Sequence, residues 1–157
     1  MMVRMTTKPR RVVVAINPSA SFGASRDVGP AVVQTLRAMG HEVTSLTEPD
    51  FESLMASARA AVRMKPDALV VVGGDGMVNL GANVVAGTRV PLAIVPAGTG
   101  NDMARGLGLP VGDTEAAIRR VGDALQGDPR AIDAMRVSWT EADGSACERW
   151  AAGSLSA

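Results

Sequence analysis

Apolar residues fall along this chain in two alternating rhythms. Arg11 to Ile16 (RVVVAI), Ala68 to Val72 (ALVVV) and Val90 to Val95 (VPLAIV) are unbroken apolar runs, short and rich in β-branching. Runs of that length read as parallel strands covered on both faces. Glu42 to Leu46 is a shorter strand of the same kind. Between them the spacing turns helical. A helix is predicted from about Ser25 to Met39, with Val28, Val32, Leu36 and Met39 on one stripe and Gly40 as its stop. A second runs to about Met64, capped by Asp50 or a neighbour, with Leu54, Met55, Ala58, Ala61 and Val62 apolar and Pro66 closing it. Further helices are predicted from Met77 to about Ala86, from Met103 to Leu107 ahead of a GLGLP turn, and from about Asp113 to Leu125. Strand and helix in alternation predict an α/β domain built on a parallel sheet. From Arg130 the rhythm changes: Arg130 to Val137 and Glu148 to Ala152 read as two strands around a polar hairpin containing Asp143-Gly144. No helix separates them, so a β-rich unit begins there.

Composition narrows the function classes. At 157 residues with 46% hydrophobic and 20% charged residues, the chain can bury a proper core. Sixteen basic side chains balance 16 acidic ones, so bulk charge gives no reason to expect nucleic acid as a partner. The single cysteine, Cys147, rules out an internal disulfide and a Cys-based zinc site, and favours a reducing, cytoplasmic setting. His41 is the only histidine, which leaves little material for His-dependent triads or multi-His metal centres. No apolar run is long enough for a transmembrane segment, and no signal peptide is expected. Met1 to Arg10 reads as a frayed tail, with Arg4, Lys8, Arg10 and the following Arg11 offering the alternative of a contact with anionic lipid.

The chemistry sits where strands end. Ala68 to Val72 stops at Gly73-Gly74-Asp75-Gly76, after which the helical pattern resumes. A glycine-rich turn from strand into helix presents bare backbone N–H groups at the carboxyl edge of a sheet, where phosphate oxygens can approach. Packing alone gives no reason for a carboxylate among three glycines. Asp75 is therefore a candidate for holding a metal near phosphate, with capping of the following helix as the structural alternative. Two further exits, Asn17 to Gly23 and Ala97 to Asp102, are also rich in Gly, Ser, Thr or Asn. Right-handed crossovers bring all three to one edge. There is no GxxxxGK[ST] motif, and Asn79 stands where GxGxxG needs its last glycine, so neither a P-loop NTPase nor a Rossmann dehydrogenase is supported.

GGDGMVN at 73–79, NPSAS at 17–21 and PAGTGND at 96–102 together resemble the diacylglycerol kinase catalytic domain. That lipid-kinase group includes sphingosine kinases and shares its GGDG loop with NAD kinases and phosphofructokinases. GTGND points to the bacterial diacylglycerol kinase side. The resemblance covers the chain from about Arg11 onward, with two departures: Met77 stands where Thr is common, and Ala20-Ser21 where Ser-Gly is usual.

The resemblance implies a three-layer, parallel-sheet nucleotide-binding domain of the NAD kinase/diacylglycerol kinase type. Residues 1–10 would be a flexible tail and 11–129 the α/β ATP-binding domain. Residues 130–157, including Asp133, would be the crossover and first strands of a β domain. It also implies ATP and Mg2+ as cofactors. ATP would be held by Asn17, Pro18, Ser19, Ala20, Ser21, Thr47, Gly73, Gly74, Asp75, Gly76, Met77, Val78, Asn79, Gly98, Thr99, Gly100 and Asn101. Asp75 would be the catalytic and metal-holding carboxylate, and Arg26 and Arg105 could reach phosphates. The acceptor would be a lipid hydroxyl at the inner membrane face, most readily that of diacylglycerol to give phosphatidic acid for phospholipid metabolism. An NAD kinase-like enzyme, a nucleotide-binding module without turnover, and assembly into a homo-oligomer all stay open.

Overall fold

A computed structural model of the chain describes residues 8–21 and 26–152. The expected loop residues Phe22 and Gly23, the helix start at Ser25 and tail residues 1–7 lie outside that range. Four strands form one parallel sheet: β1 (Arg11–Ile16), β2 (Glu42–Leu46), β3 (Ala68–Gly73) and β4 (Leu92–Pro96), in the order β2-β1-β3-β4. The register is unbroken, with Ala15 beside both Leu46 and Val71 and Gly73 beside Pro96, so all four strands end along one line. The helices are α1 (Val28–Ala38), α2 (Phe51–Arg63), α3 (Asp75–Val85), α4 (Asp102–Gly106) and α5 (Thr114–Ala124). The chain leaves β1 toward β2 and returns to β3 on β1's other side. That reversal opens a crevice at the carboxyl ends of β1 and β3, where open α/β sheets take their ligands.

Alternation along β1 builds three layers. Val12, Val14 and Ile16 face Val32 and Leu36 of α1 and Ile118 and Val121 of α5. Val13 and Ala15 share the other cluster with Leu54 and Ala58 of α2 and Met77 and Leu80 of α3. Both clusters are buried, and truncating Leu36 or Leu54, each 0% exposed, is expected to cost about 2–5 kcal/mol. Gly81 brings α3 close to the sheet, since a methyl group there would stand 2.6 Å from Leu92 Cδ1 and 2.9 Å from Val71 Cγ1. The N-terminus of α3 is thereby seated on the carboxyl edge.

The structure moves three boundaries. α3 begins at Asp75, not Met77, because the N–H groups of Met77 and Val78 both donate to the Gly74 carbonyl and wind the glycine turn into the helix. Residues 8–10 are not a loose tail: Lys8 N–H donates to Gln126 Oε1, Arg10 Nε to the Leu125 carbonyl, and Arg10 N–H to His41 Nδ1. The last two strands form a separate antiparallel pair, β5 (Met135–Thr140) and β6 (Ala146–Ala151), around a turn at Gly144. β5 starts at Met135, not Arg130, because pairing begins where Met135 meets Ala151.

His41 sits at the opposite end of the sheet from the glycine loops. It is buried, its Nδ1 accepts from Arg10 N–H, and its Nε2 has no partner among the described residues. Burial, with help from the Arg10 guanidinium, lowers its pKa below 6.5. The folded state therefore prefers neutral histidine more than the unfolded chain does, so its contribution to stability is intact above pH 6.5 and lost as pH falls below it. Unfolding free energy measured in denaturant is expected to drop between about pH 7 and pH 5. His41→Gln should flatten that limb while leaving the carboxylate-driven loss at lower pH.

Candidate nucleotide site

Three strand exits stand side by side on the carboxyl edge. Asn17 follows β1, where its N–H donates to the Val72 carbonyl and its Oδ1 accepts from Ser19 N–H, shaping a short 3-10 turn over Pro18–Ser21. Gly73 closes β3 with φ of +155°, a conformation a side chain would resist. A methyl group on it would also stand 3.3 Å from Asn17 Cβ. The third exit, 97–101, folds against the second.

Asp75 binds the second exit to the third. Its Oδ2 accepts from Asp102 N–H (3.1 Å) and its Oδ1 from Met103 N–H (3.0 Å). Asp75 is thus a helix cap, but of α4, not of the helix it begins. The Met103 N–H does most to hold its carboxyl below the ordinary range, aided by Asp102, Asn101 and Arg105 against some desolvation. The carboxylate is ionised at neutral pH and exposed to solvent. Gly100 lets it in, since a methyl group there would stand 2.9 Å from Asp75 Oδ2.

The glycines divide by purpose. Gly74 and Gly98 meet as bare backbone: a methyl group on Gly98 would run into Gly74 Cα and stand 2.8 Å from Gly74 N. Asn101 locks this loop from inside, accepting from Gly98 N–H (3.1 Å) and donating to the Gly98 carbonyl (2.7 Å). It is 5% exposed and sits at φ +58°, a left-handed position that Asn tolerates. Gly76 is different. A methyl group there would meet nothing within 4 Å among the described residues, and its φ is not positive. Neither packing against those residues nor backbone geometry requires a glycine at 76.

The remaining candidates spread out. Met77 and Val78 are buried, so they shape the turn and offer a ligand no side-chain polar group. Thr99 and Asn79 are exposed near the loops, and Thr47 is exposed beyond β2, one strand further from Asp75 than Asn17. Arg105 is turned into its own loop, bonded to the Gly100 carbonyl and 3.3 Å from Asp102 Oδ1, while Arg26 is exposed ahead of α1. Among the described residues no cluster of three acidic, His or Cys side chains could cage a metal. The donors that remain fit a phosphate-borne cation: one ionised carboxylate beside an α3 N-terminus that no side chain caps. Sequence reasoning missed Asn83 of α3, whose side chain bonds both backbone groups of Trp150. The signal was there, because Asp75, Asn79 and Asn83 fall four apart on a helix that is otherwise mostly apolar.

Two substitutions separate these purposes. Gly98→Ala is expected to destabilise the protein through backbone collision. Gly76→Ala should hold or raise stability by up to about 1 kcal/mol, since Ala is the better helix former, yet weaken ATP binding in the full-length protein about tenfold or more. Thermal unfolding and titration calorimetry read the two effects separately. Asp75→Asn should cost about 1 kcal/mol of stability by spoiling the α4 cap and should lower turnover further than stability explains.

Comparisons with known proteins agree with this geometry. Residues 11–137 match the family model described as the diacylglycerol kinase catalytic domain. The chain is 36% identical over 140 residues to a diacylglycerol kinase of Mycobacterium tuberculosis, covering 89% of this chain and 43% of that protein. A diacylglycerol kinase of Bacillus subtilis is 30% identical over 132 residues, covering 82% and 42%. A crystal structure of a diacylglycerol kinase from Bacillus anthracis superposes with a TM-score of 0.58 at 28% identity, over 75% of this chain and 45% of that one. The chain therefore spans less than half the length of these relatives. Its glycine loops, strand order and matched residues together place it in the diacylglycerol kinase catalytic domain family.

Proposed function

We propose that this chain is the nucleotide-binding half of a lipid kinase that transfers the γ-phosphoryl group of ATP to a lipid hydroxyl, with diacylglycerol as the acceptor and phosphatidic acid as the product. One observation carries the reading: Gly76 serves no packing need among the described residues, and it lies in the first turn of a helix whose N-cap is a bare glycine at the crevice of the sheet. A surface kept bare in that place suits phosphate. The backbone N–H groups at the start of α3 would face the phosphates, Asn17 and the 3-10 turn would flank them, and Asp75 would hold Mg2+ or its water shell. Mg2+, when bound, supplies charge neutralisation on the phosphate oxygens.

In the reaction a bond forms between the lipid oxygen and the γ-phosphorus, and the bond from that phosphorus to the ADP oxygen breaks. The hydroxyl proton passes to a base. The one histidine lies at the far end of the sheet, and Asp75, which already accepts from Asp102 and Met103 N–H, has a lowered pKa that makes it a poor proton acceptor at neutral pH. The acceptor and its base belong, in this reading, to a β domain that β5 and β6 begin. No described helix is long and apolar enough to cross a membrane. In this reading the lipid is met at the membrane surface, from the cytoplasmic side.

The test is a lipid-panel assay on the protein made from the full reading frame, with labelled ATP and Mg2+. Label is expected in an organic-extractable product with diacylglycerol in mixed micelles. Label in a water-soluble dinucleotide would favour an NAD kinase-like reaction, and nucleotide binding without transfer would favour a regulatory module. The 157-residue chain by itself should bind nucleotide weakly and transfer nothing. Robust turnover by it would put the acceptor site within these residues and overturn the two-part account.

A further inference from the structure

α3 has a polar group at each end of one stripe. Asp75 joins the nucleotide loops, and Asn83, two turns and about 12 Å further along the helix, joins the hairpin. Asn83 Nδ2 donates to the Trp150 carbonyl (2.7 Å), and Trp150 N–H donates to Asn83 Oδ1 (2.9 Å). A carboxamide carries one acceptor and a donor side by side, so it pairs with a single residue of β6 much as the peptide group of a neighbouring strand would. The same Nδ2 also donates to the Asn79 carbonyl (2.9 Å), which fixes the orientation of the amide from the turn nearer Asp75. Among the described residues, every other side-chain hydrogen bond of β5 and β6 stays within the hairpin or its turn. The hairpin is largely exposed, with Met135 at 47% and Trp139 at 38%, so it has little buried surface of its own to fix its place.

We propose that Asn83 is a positioning residue for phosphoryl transfer. It sets the hairpin, and with it the chain that follows β6, at a fixed distance from the phosphate end of α3. The role rests on the kinase reading above. A rigid two-turn helix connects the two contacts, so a hairpin that slides or lifts displaces the acceptor side while the nucleotide loops stay as they are. Transfer chemistry is sensitive to such displacement, and nucleotide binding is not. Only a neutral carboxamide of this length serves: Asp would set an oxygen against the Trp150 carbonyl, and Ala would leave both Trp150 groups without their partner.

The experiment uses the full-length protein with Asn83→Ala and the near-isosteric Asn83→Asp, so that one misfolded variant does not end the test. Both are expected to keep ATP affinity within about twofold and to lower kcat with diacylglycerol on the order of 10- to 100-fold. Hydrogen exchange should show the Trp150 amide losing protection while β1 and β3 amides keep theirs. Unchanged kcat in a folded variant overturns the positioning role. So does a fall in kcat matched by weaker ATP binding and faster exchange throughout the sheet, which is the mark of simple destabilisation. A Trp150 amide as protected in the variants as in the parent overturns the docking itself. A parent protein that phosphorylates no lipid fails the kinase reading before any variant is made. It takes the positioning role with it and leaves the docking to be decided by exchange.

Discussion

The carboxylate of Asp75, shared between two loops far apart in sequence, is the interaction on which the site depends. It begins α3 and completes α4, so the turn after β3 and the turn after β4 cannot move independently. Everything nearby is shaped to permit that bond: Gly100 stands aside for the carboxylate, Gly74 and Gly98 let the two backbones touch, and Asn101 holds its loop closed. The cap and a metal role are compatible. A carboxylate has about four lone-pair directions, and two backbone donors leave the outer ones facing solvent. The same donors keep it ionised over a wide pH range, which is the state a cation needs.

Much of this was legible beforehand, for identifiable reasons. The valine runs of β1 and β3 are buried on both faces, so their apolar character has no gaps, and the strands lie within a residue of their expected limits. The sequence reading starts β4 two residues early because Val90 and Pro91 are apolar, although of the two only the Pro91 carbonyl bonds to β3, accepting from Leu69 N–H. The family was legible because GGDG and GTGND occur together, and the structure supplies the physical cause: the Asp of the first motif caps the helix that opens from the second. What escaped was everything set by contact at a distance. Gly74 looks like Gly76 in the sequence, yet a methyl group on the first would crowd Gly98 at 3.2 Å and one on the second would meet no described residue. Asn83 shows in the sequence only as the end of a polar stripe, because what it meets is backbone 67 residues away, which carries no residue identity.

α3 answers to three neighbours at once. Gly81 presses it to the sheet, its first turn lines the crevice, and its far end carries the hairpin. Beside it a groove of about 790 Å³ follows β4, lined by Leu92, Ile94, Met103, Leu107, Ile132 and Trp150 among others. β4 has no further strand on its outer side among the described residues. The apolar lining of that groove includes Ile132 and Trp150, so it reaches the hairpin.

The contact between Gly74 and Gly98 also bears on how such a protein can be altered by exchange of parts. Two loops that meet backbone to backbone, with a carboxylate from one capping the helix of the other, form a single unit although the glycines stand 24 positions apart. A chimaera joined between α3 and β4 would take each loop from a different parent and would have to reproduce a fit with no side chain to absorb the error. Crossovers placed before β3 or after α4 keep the pair intact. The segment from Ala68 to Gly106 is accordingly the smallest piece that can be transplanted between relatives with both loops and the shared cap intact.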